Sequence, residues 1–233
     1  MKLRWLGHSA FELMSNNGLN ILVDPFIQAN PACPLNVNDV HPDVICITHG
    51  HADHYGDTIE IARNNPNAVV ISNYEISIHL QRNGINAIGI NCGAEIAIGD
   101  VSIRMLEARH SSSLDFEIDL PYAGSPGSFL FNFENGQKVF HAGDTGLFSD
   151  MKFVIGEVYR PDVALLPIGN IFTMNPAEAA IAAEWINPQV VIPMHYNSFP
   201  SIRQDPEEFS KLVSEKSSEC KTLIPKVMET LEF

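Results

Sequence analysis

The six residues His49-Gly50-His51-Ala52-Asp53-His54 constrain this chain more than any other stretch. Three imidazoles and a carboxylate crowd into one turn. Neutral imidazole nitrogens and carboxylate oxygens are ligands for divalent cations. On an extended or tightly turned loop, His49 and His51 can point the same way and share an ion. Asp53 and His54 are adjacent, so their side chains must diverge, and they can serve a second ion. The preceding run, Asp43-Val44-Ile45-Cys46-Ile47-Thr48, is nearly continuous in apolar character, the pattern of a buried strand. Loops at the ends of such strands are where sites are usually built.

The rest of the chain reads as mixed α and β structure. Lys2 to Leu6 and Ala10 to Met14 read as strands, and Asn16-Asn17-Gly18 as a hairpin turn. Leu19 to Val23 is the return strand, ending at Asp24-Pro25, and Gln28 to Asp39 reads as a loop. A helix is expected over Asp57 to Asn64, closed before Pro66. A strand (Ala68 to Ser72), a helix (Tyr74 to Asn83) and two more strands (Asn86 to Ile90, Val101 to Glu107) follow. Phe129 to Phe133 and Lys138 to Phe140 flank Asn135-Gly136 as a hairpin, and Val163 to Leu166 and Val190 to Met194 are buried strands. Asn175-Pro176-Ala177-Glu178 and Asp205-Pro206-Glu207-Glu208 open helices with a side-chain cap and proline at the first position. His49, His110, Asp144 and His195 each fall at or just past the end of an expected strand.

Composition narrows the function classes. With 233 residues, 45% of them hydrophobic and 18% charged, the chain suits one domain spanning residues 1–233. The formal net charge of -14 argues against a general nucleic-acid binder, whose footprint is basic. A small phosphorylated substrate held by local cations stays open. Cys33, Cys46, Cys92 and Cys220 are scattered and read as reduced thiols, with Cys46 in the core. The N-terminus lacks the apolar stretch of a signal peptide, and no segment has the ~20 apolar residues of a membrane span. A cytoplasmic location and a small-molecule substrate are expected, with no membrane partner; a homo-oligomer is open.

His49-x-His51-x-Asp53-His54 matches the leading motif of the metallo-β-lactamase superfamily, and the chain resembles that superfamily from its first strand to His195. Later stations follow in order: His110, Asp144 in Gly143-Asp144-Thr145, and His195. The resemblance implies an α/β fold, a four-layer αβ/βα sandwich in which two βα halves pack sheet to sheet with the site along one edge. It implies one metal on His49, His51 and His110, another on Asp53, His54 and His195, and Asp144 bridging. The opening Trp5-Leu6-Gly7-His8-Ser9-Ala10-Phe11 and Ile21-Leu22-Val23-Asp24-Pro25 are most similar to the small prokaryotic metal-dependent hydrolases, related to L-ascorbate 6-phosphate lactonase. No cysteine stands at the second-metal stations. The glutamate that flavodiiron proteins carry at the position of His51 is absent, which fits hydrolysis better than redox chemistry at iron.

The activity expected is metal-dependent hydrolysis of an ester, lactone or phosphoester of a small substrate. A water bridging two divalent cations loses its proton near neutral pH and becomes the nucleophile. Zinc is the first expectation; manganese, nickel, cobalt and iron suit the same ligands. Asp53 is expected to act in catalysis as well as in metal binding. His8 is read as a proton donor or substrate contact, against a hydrogen-bonded structural histidine. Asp24 and His141 are candidates for orienting ligand histidines, against a turn cap and a backbone-bonded histidine respectively. Asn170 and Phe172, in an apolar loop after a strand, and Arg109 are candidate substrate contacts; Arg109 suits a phosphate. The alternatives are a phosphodiesterase or nuclease with the same metal pair, and a non-catalytic metal-binding protein.

Overall fold

Each half of the chain begins with antiparallel strands and ends in parallel ones. In the computed structural model, which describes residues 1–233, β1 (Lys2–Gly7), β2 (Ala10–Met14) and β3 (Asn20–Val23) form an antiparallel meander. β4 (Val44–Cys46) then pairs parallel with β3. The short α1 (Ala52–Tyr55) and α2 (Thr58–Asn64) follow, and then β5 (Val69–Asn73), α3 (Tyr74–Arg82) and β6 (Ala87–Ile90). The second half repeats the plan. β7 (Glu95–Ile98), β8 (Val101–Glu107), β9 (Gly127–Asn132) and β10 (Lys138–His141) are antiparallel. β11 (Val163–Pro167), β12 (Val190–Met194) and β13 (Lys221–Thr222) add in parallel, with α4 (Pro176–Ile186) and α5 (Pro206–Lys216) between them. The C-terminal β14 (Thr230–Glu232) returns to pair with β1. The result is two seven-stranded mixed sheets, β14-β1-β2-β3-β4-β5-β6 and β13-β12-β11-β10-β9-β8-β7.

The two-residue period of a strand explains why both sheets are covered twice. Ile21, Val23, Val44 and Cys46 turn into a cluster of 42 buried residues that also holds Val101, Ile103, Phe129 and Phe131 of the opposite sheet. Their neighbours Leu22, Ile45 and Ile47 turn outward into a cluster of 18, against Ile61 of α2 and Ile76 and Leu80 of α3. A strand such as β4, buried on both faces, has no polar side to show. Both helix openings expected in the second half are present. Asn175 and Glu178 form a reciprocal capping box on α4, and Asp205 caps α5.

Several elements depart from the sequence expectation. The helix expected over Asp57 to Asn64 starts at Thr58, and the last motif residues, Ala52, Asp53 and His54, lie in a separate turn, α1. Gly56 separates them at φ 47, where a Cβ would lie 2.3 Å from the Pro25 carbonyl oxygen. Gln28 to Asp39 contains a 3₁₀ turn at Val37–Asp39, capped by Asn36. A π-helical stretch spans Met151–Tyr159, where no element was expected, and β7, β13 and β14 were likewise not anticipated. All four cysteines are unpaired, with Cys46 buried. No helix is long and apolar enough to cross a membrane.

Candidate metal centre

The registers run β1, β3 and β4 in one direction within the first sheet, and β8, β10, β11 and β12 in one direction within the second. His8, Asp24 and His49 follow the first set; His110, Asp144 and His195 follow the second. All converge on one edge of the sandwich. The halves are stitched there by the His8 carbonyl, which accepts from Trp5 Nε1 at 2.9 Å and from the His195 amide at 3.1 Å. His8, Asp24 and His195 sit at φ 55, 48 and 54. Non-glycine residues rarely adopt this left-handed region, and strain of this kind clusters at functional sites.

Two groups of donors face each other. His49 Nε2 lies 2.9 Å from His51 Nδ1, and His110 Nε2 lies 3.3 Å from the same atom. Beside them, His54, His195 and Asp53 converge with His8. Asp144 sits between the groups: Oδ1 is 3.2 Å from His54 Nε2, and Oδ2 is 3.0 Å from His195 Nε2 and 3.6 Å from His110 Nε2. Despite these distances, His54 Nε2, His195 Nε2 and Asp144 Oδ1 are buried without an aligned hydrogen-bond partner. Burying polar atoms unpaired is costly, and a divalent cation at the point of convergence removes that cost. The donor set, all imidazole and carboxylate, fits such an ion.

A second tier of contacts aims these rings. Asp24 is fully buried; its Oδ1 accepts from the Thr48 amide at 2.8 Å, and its Oδ2 accepts from Thr48 Oγ1 at 2.8 Å and His54 Nδ1 at 2.7 Å. With Nδ1 committed to Asp24, Nε2 is the ring atom that faces Asp144; burial lowers the pKa of His54, but Asp144, Asp24 and Asp53 outweigh it and raise it well above the ordinary value. Thr48 Oγ1 has one hydrogen, given to Asp24, so it accepts from His49 Nδ1 at 3.0 Å and frees the His49 Nε2 lone pair. Thr48 escaped the sequence reading, although it directly precedes the motif. So did Gly169: a Cβ there would lie 2.4 Å from the His195 carbonyl oxygen and 3.0 Å from its Nδ1.

His8 is fully buried, with Nε2 3.1 Å from Asp53 Oδ2 and Nδ1 3.0 Å from Ser198 Oγ. Burial, then the positive field of His195, pushes its pKa down to about 4, so the ring is neutral at physiological pH. One tautomer satisfies both contacts: Nε2–H donates to Asp53 and Nδ1 accepts from Ser198. Phe26 and Phe199 wall this ring at centroid distances of 5.5 and 5.6 Å. Burial lowers His49 and His110 as well. For His195, burial pulls downward but the Asp144 carboxylate outweighs it and lifts the pKa to about 9. Burial pushes the Asp53 and Asp144 carboxyls up, and the surrounding histidines more than reverse it, holding both well below the usual carboxylate range.

The remaining candidates lie differently. His141 touches no donor ring; Nε2 donates to the Ser9 carbonyl at 2.9 Å and Nδ1 accepts from the Gly143 amide at 3.1 Å. It therefore ties the turn carrying His8 to the turn carrying Asp144. Arg109 is exposed, and its guanidinium is held by Glu107 at 3.0 Å; its backbone joins the His110 and Asp144 loops through Thr145 Oγ1 and Gly146. Asn170 and Phe172 are exposed on a loop whose base rests on His195 through Gly169 and on Thr145 through Met174. The loop thus stands beside the centre.

The domain description "Beta-lactamase superfamily domain" matches residues 2–195. The chain belongs to this superfamily. It is 52% identical over 234 residues to a UPF0173 metal-dependent hydrolase of Methanobrevibacter smithii, covering 100% of this chain and 97% of that protein. A UPF0173 metal-dependent hydrolase of Methanosphaera stadtmanae is 51% identical over 217 residues, covering 93% and 92%. Among solved structures, Igni18, a metallo hydrolase from the archaeon Ignicoccus hospitalis, is 39% identical with a TM-score of 0.88, covering 100% and 98%. Within the beta-lactamase superfamily the chain is thus a metal-dependent hydrolase, and its two helix-flanked mixed sheets are that superfamily's metallo-type α/β sandwich.

Proposed function

We propose that the protein hydrolyses an ester, lactone or phosphoester of a small substrate with a pair of divalent cations, zinc foremost. His49, His51 and His110 would hold one ion and Asp53, His54 and His195 the other. The position of Asp144 carries this reading. Its carboxylate lies 3.2 and 3.0 Å from His54 and His195 of one proposed ligand group and 3.6 Å from His110 of the other, within reach of both, which supports a shared ligand. Such ions, when bound, supply Lewis acidity toward the scissile carbonyl or phosphoryl group and an activated water.

The chain's own residues do the rest. Asp24 and Thr48 fix the rotation and tautomer of His54 and His49. Asp53, kept ionised by the surrounding histidines, is placed to take up the proton released on attack. His8 Nε2–H, at 3.1 Å, holds Asp53 Oδ2 and so aims the carboxyl group, which passes the proton it has taken up to the leaving oxygen. Phe26 and Phe199 keep water from that transfer. No serine or cysteine nucleophile is needed.

The test is turnover by metal-loaded protein on a panel of lactones, carboxylic esters and phosphodiesters, with Asp144→Ala as control. Turnover of at least one class, lost together with bound metal in Asp144→Ala, is expected. Turnover confined to phosphodiesters would move the reading to a phosphodiesterase. No turnover on any class would favour a non-catalytic metal protein.

A further inference from the structure

β12 ends in a loop that turns back over the first half of the molecule. His195 and Asn197 are both left-handed, at φ 54 and 60, so the chain reverses twice within three residues. The Asn197 amide donates to the Ile202 carbonyl at 2.9 Å, and the Ile202 amide to the Phe199 carbonyl at 3.2 Å. Asn197 Oδ1 accepts from the Gln204 amide at 3.0 Å. Tyr196 is buried and stacks on Trp5 at 5.6 Å. Closed on itself in this way, the loop presents half-buried Ser198 to the His8 ring. Ser198 Oγ lies 3.0 Å from His8 Nδ1; the Tyr196 carbonyl, at 3.5 Å, is its weaker partner.

His8 is thereby held twice from this side. Its carbonyl accepts from the His195 amide, and its ring is met at Nδ1 by Ser198. The other ring nitrogen holds Asp53. Of the rings around that carboxyl group His8 is the nearest, 3.1 Å from Oδ2, against 3.8 Å for His195 and 4.0 Å for His54. The Asp53 side chain is also 29% exposed, where that of Asp144 is 2% exposed. Packing therefore fixes Asp144, while the aim of Asp53 depends on its hydrogen bond to His8. Phe26 and Phe199 flank the His8 ring but offer it no polar partner. Its rotation is set by the groups at its two nitrogens. A hydroxyl both donates and accepts, so Ser198 serves Nδ1 in either protonation state of the ring.

We propose that Ser198 is a positioning residue for the hydrolysis, acting through His8 on Asp53, a role that rests on the hydrolase reading above. Ser198 fixes the rotation of the His8 ring. The ring fixes the Asp53 carboxyl group, which then meets the leaving oxygen along one line. No bond is made or broken at Ser198, whose hydroxyl is engaged by His8. Small misplacements of a reacting group are costly to rate, so a hold two side chains away is felt in turnover and not in substrate binding. Ser198 and His195 stand three residues apart on one loop. The same turn of chain thus supplies a proposed metal ligand and the hold on the carboxyl group that carries the proton.

Steady-state kinetics of the metal-loaded protein, on whichever ester, lactone or phosphoester it turns over, and nitrogen-15 NMR of the His8 ring test this together. Ser198→Ala should lower kcat about three- to tenfold, the worth of one hydrogen bond, at unchanged KM and metal content. Ser198→Thr, which keeps the hydroxyl, should restore kcat. In a His8→Ala background, Ser198→Ala should cost nothing further, because the two act as one unit. The His8 Nδ1 resonance should move in Ser198→Ala and stay in place in Ser198→Thr, with or without metal. An unchanged kcat in Ser198→Ala, an equal loss in Ser198→Thr, an additive loss beside His8→Ala, or an unmoved Nδ1 resonance would overturn the proposal. So would a fall in bound metal, which would make Ser198 a support of His195 instead. A wild type without turnover on any class would remove the hydrolase reading, and with it the role in turnover; the ring resonances would still decide whether Ser198 holds His8.

Discussion

At Asp24 one buried carboxylate sets the direction of two neighbouring side chains, Thr48 and His54. Asp24→Asn keeps the size but puts an amide N–H against one of three donors. Contacts of this kind to metal-binding histidines are worth about 10–100-fold in metal affinity. The expected outcome is a loss of that order in chelator competition, with the thermal transition of the metal-free protein still cooperative; unchanged affinity would remove Asp24 from the centre. His8 should behave otherwise. It donates to Asp53 without being one of the seven proposed ligands, so His8→Ala should cut turnover while elemental analysis finds the metal retained. Gly169→Ala sets a methyl 2.4 Å from the His195 carbonyl oxygen, and should cost metal on the His195 side through backbone displacement alone. At this scale the sequence disclosed donors better than their supports. A histidine or aspartate in a motif announces its chemistry, and the resemblance placed His110, Asp144 and His195. Thr48 looks like any strand-end threonine, and Gly169 matters only because His195, distant in sequence, packs on it.

Strands act here by ending. His8, Asp24 and His195 follow β1, β3 and β12 in left-handed conformation, each turning the chain so that its side chain enters the edge cleft. Histidine and aspartate adopt that conformation more readily than most non-glycine residues, but they do so at few positions, so the sequence alone did not reveal it. The buried strands β4, β11 and β12 were legible because continuous apolar runs are rare outside doubly covered strands. α4 and α5 were legible because their caps are local. β13 and β14 were not: two and three residues long, they exist only by pairing with β12 and β1. The α4 cap gives a stability prediction. Asn175→Ala removes the acceptor that holds the Glu178 amide at 2.9 Å and should cost about 1 kcal/mol, read as a lower denaturant midpoint at unchanged slope. No change in midpoint would mean that α4 is held by packing alone.

For the molecule as a whole, the two halves present their donors to a common space, and cations bound there would join them. Metal loading should therefore raise the unfolding temperature, since a ligand bound only by the folded state stabilises it by mass action. It should also release protons. In the metal-free protein, burial lowers the pKa of His195 but Asp144 more than compensates, lifting it from 6.5 to about 9. Near neutral pH the ring is thus protonated, and it would release that proton to solvent on taking a cation. Calorimetric titration in buffers of differing ionisation enthalpy should reveal net proton release, and affinity should fall on acidification; a heat independent of buffer would contradict this. An Asp144 shared by two ions requires both to sit in one centre. Elemental analysis of the purified protein, beside the same protein after chelation and reloading, measures this. About two divalent ions per chain are expected; a chain that takes up none on reloading, or saturates at one, has no shared site.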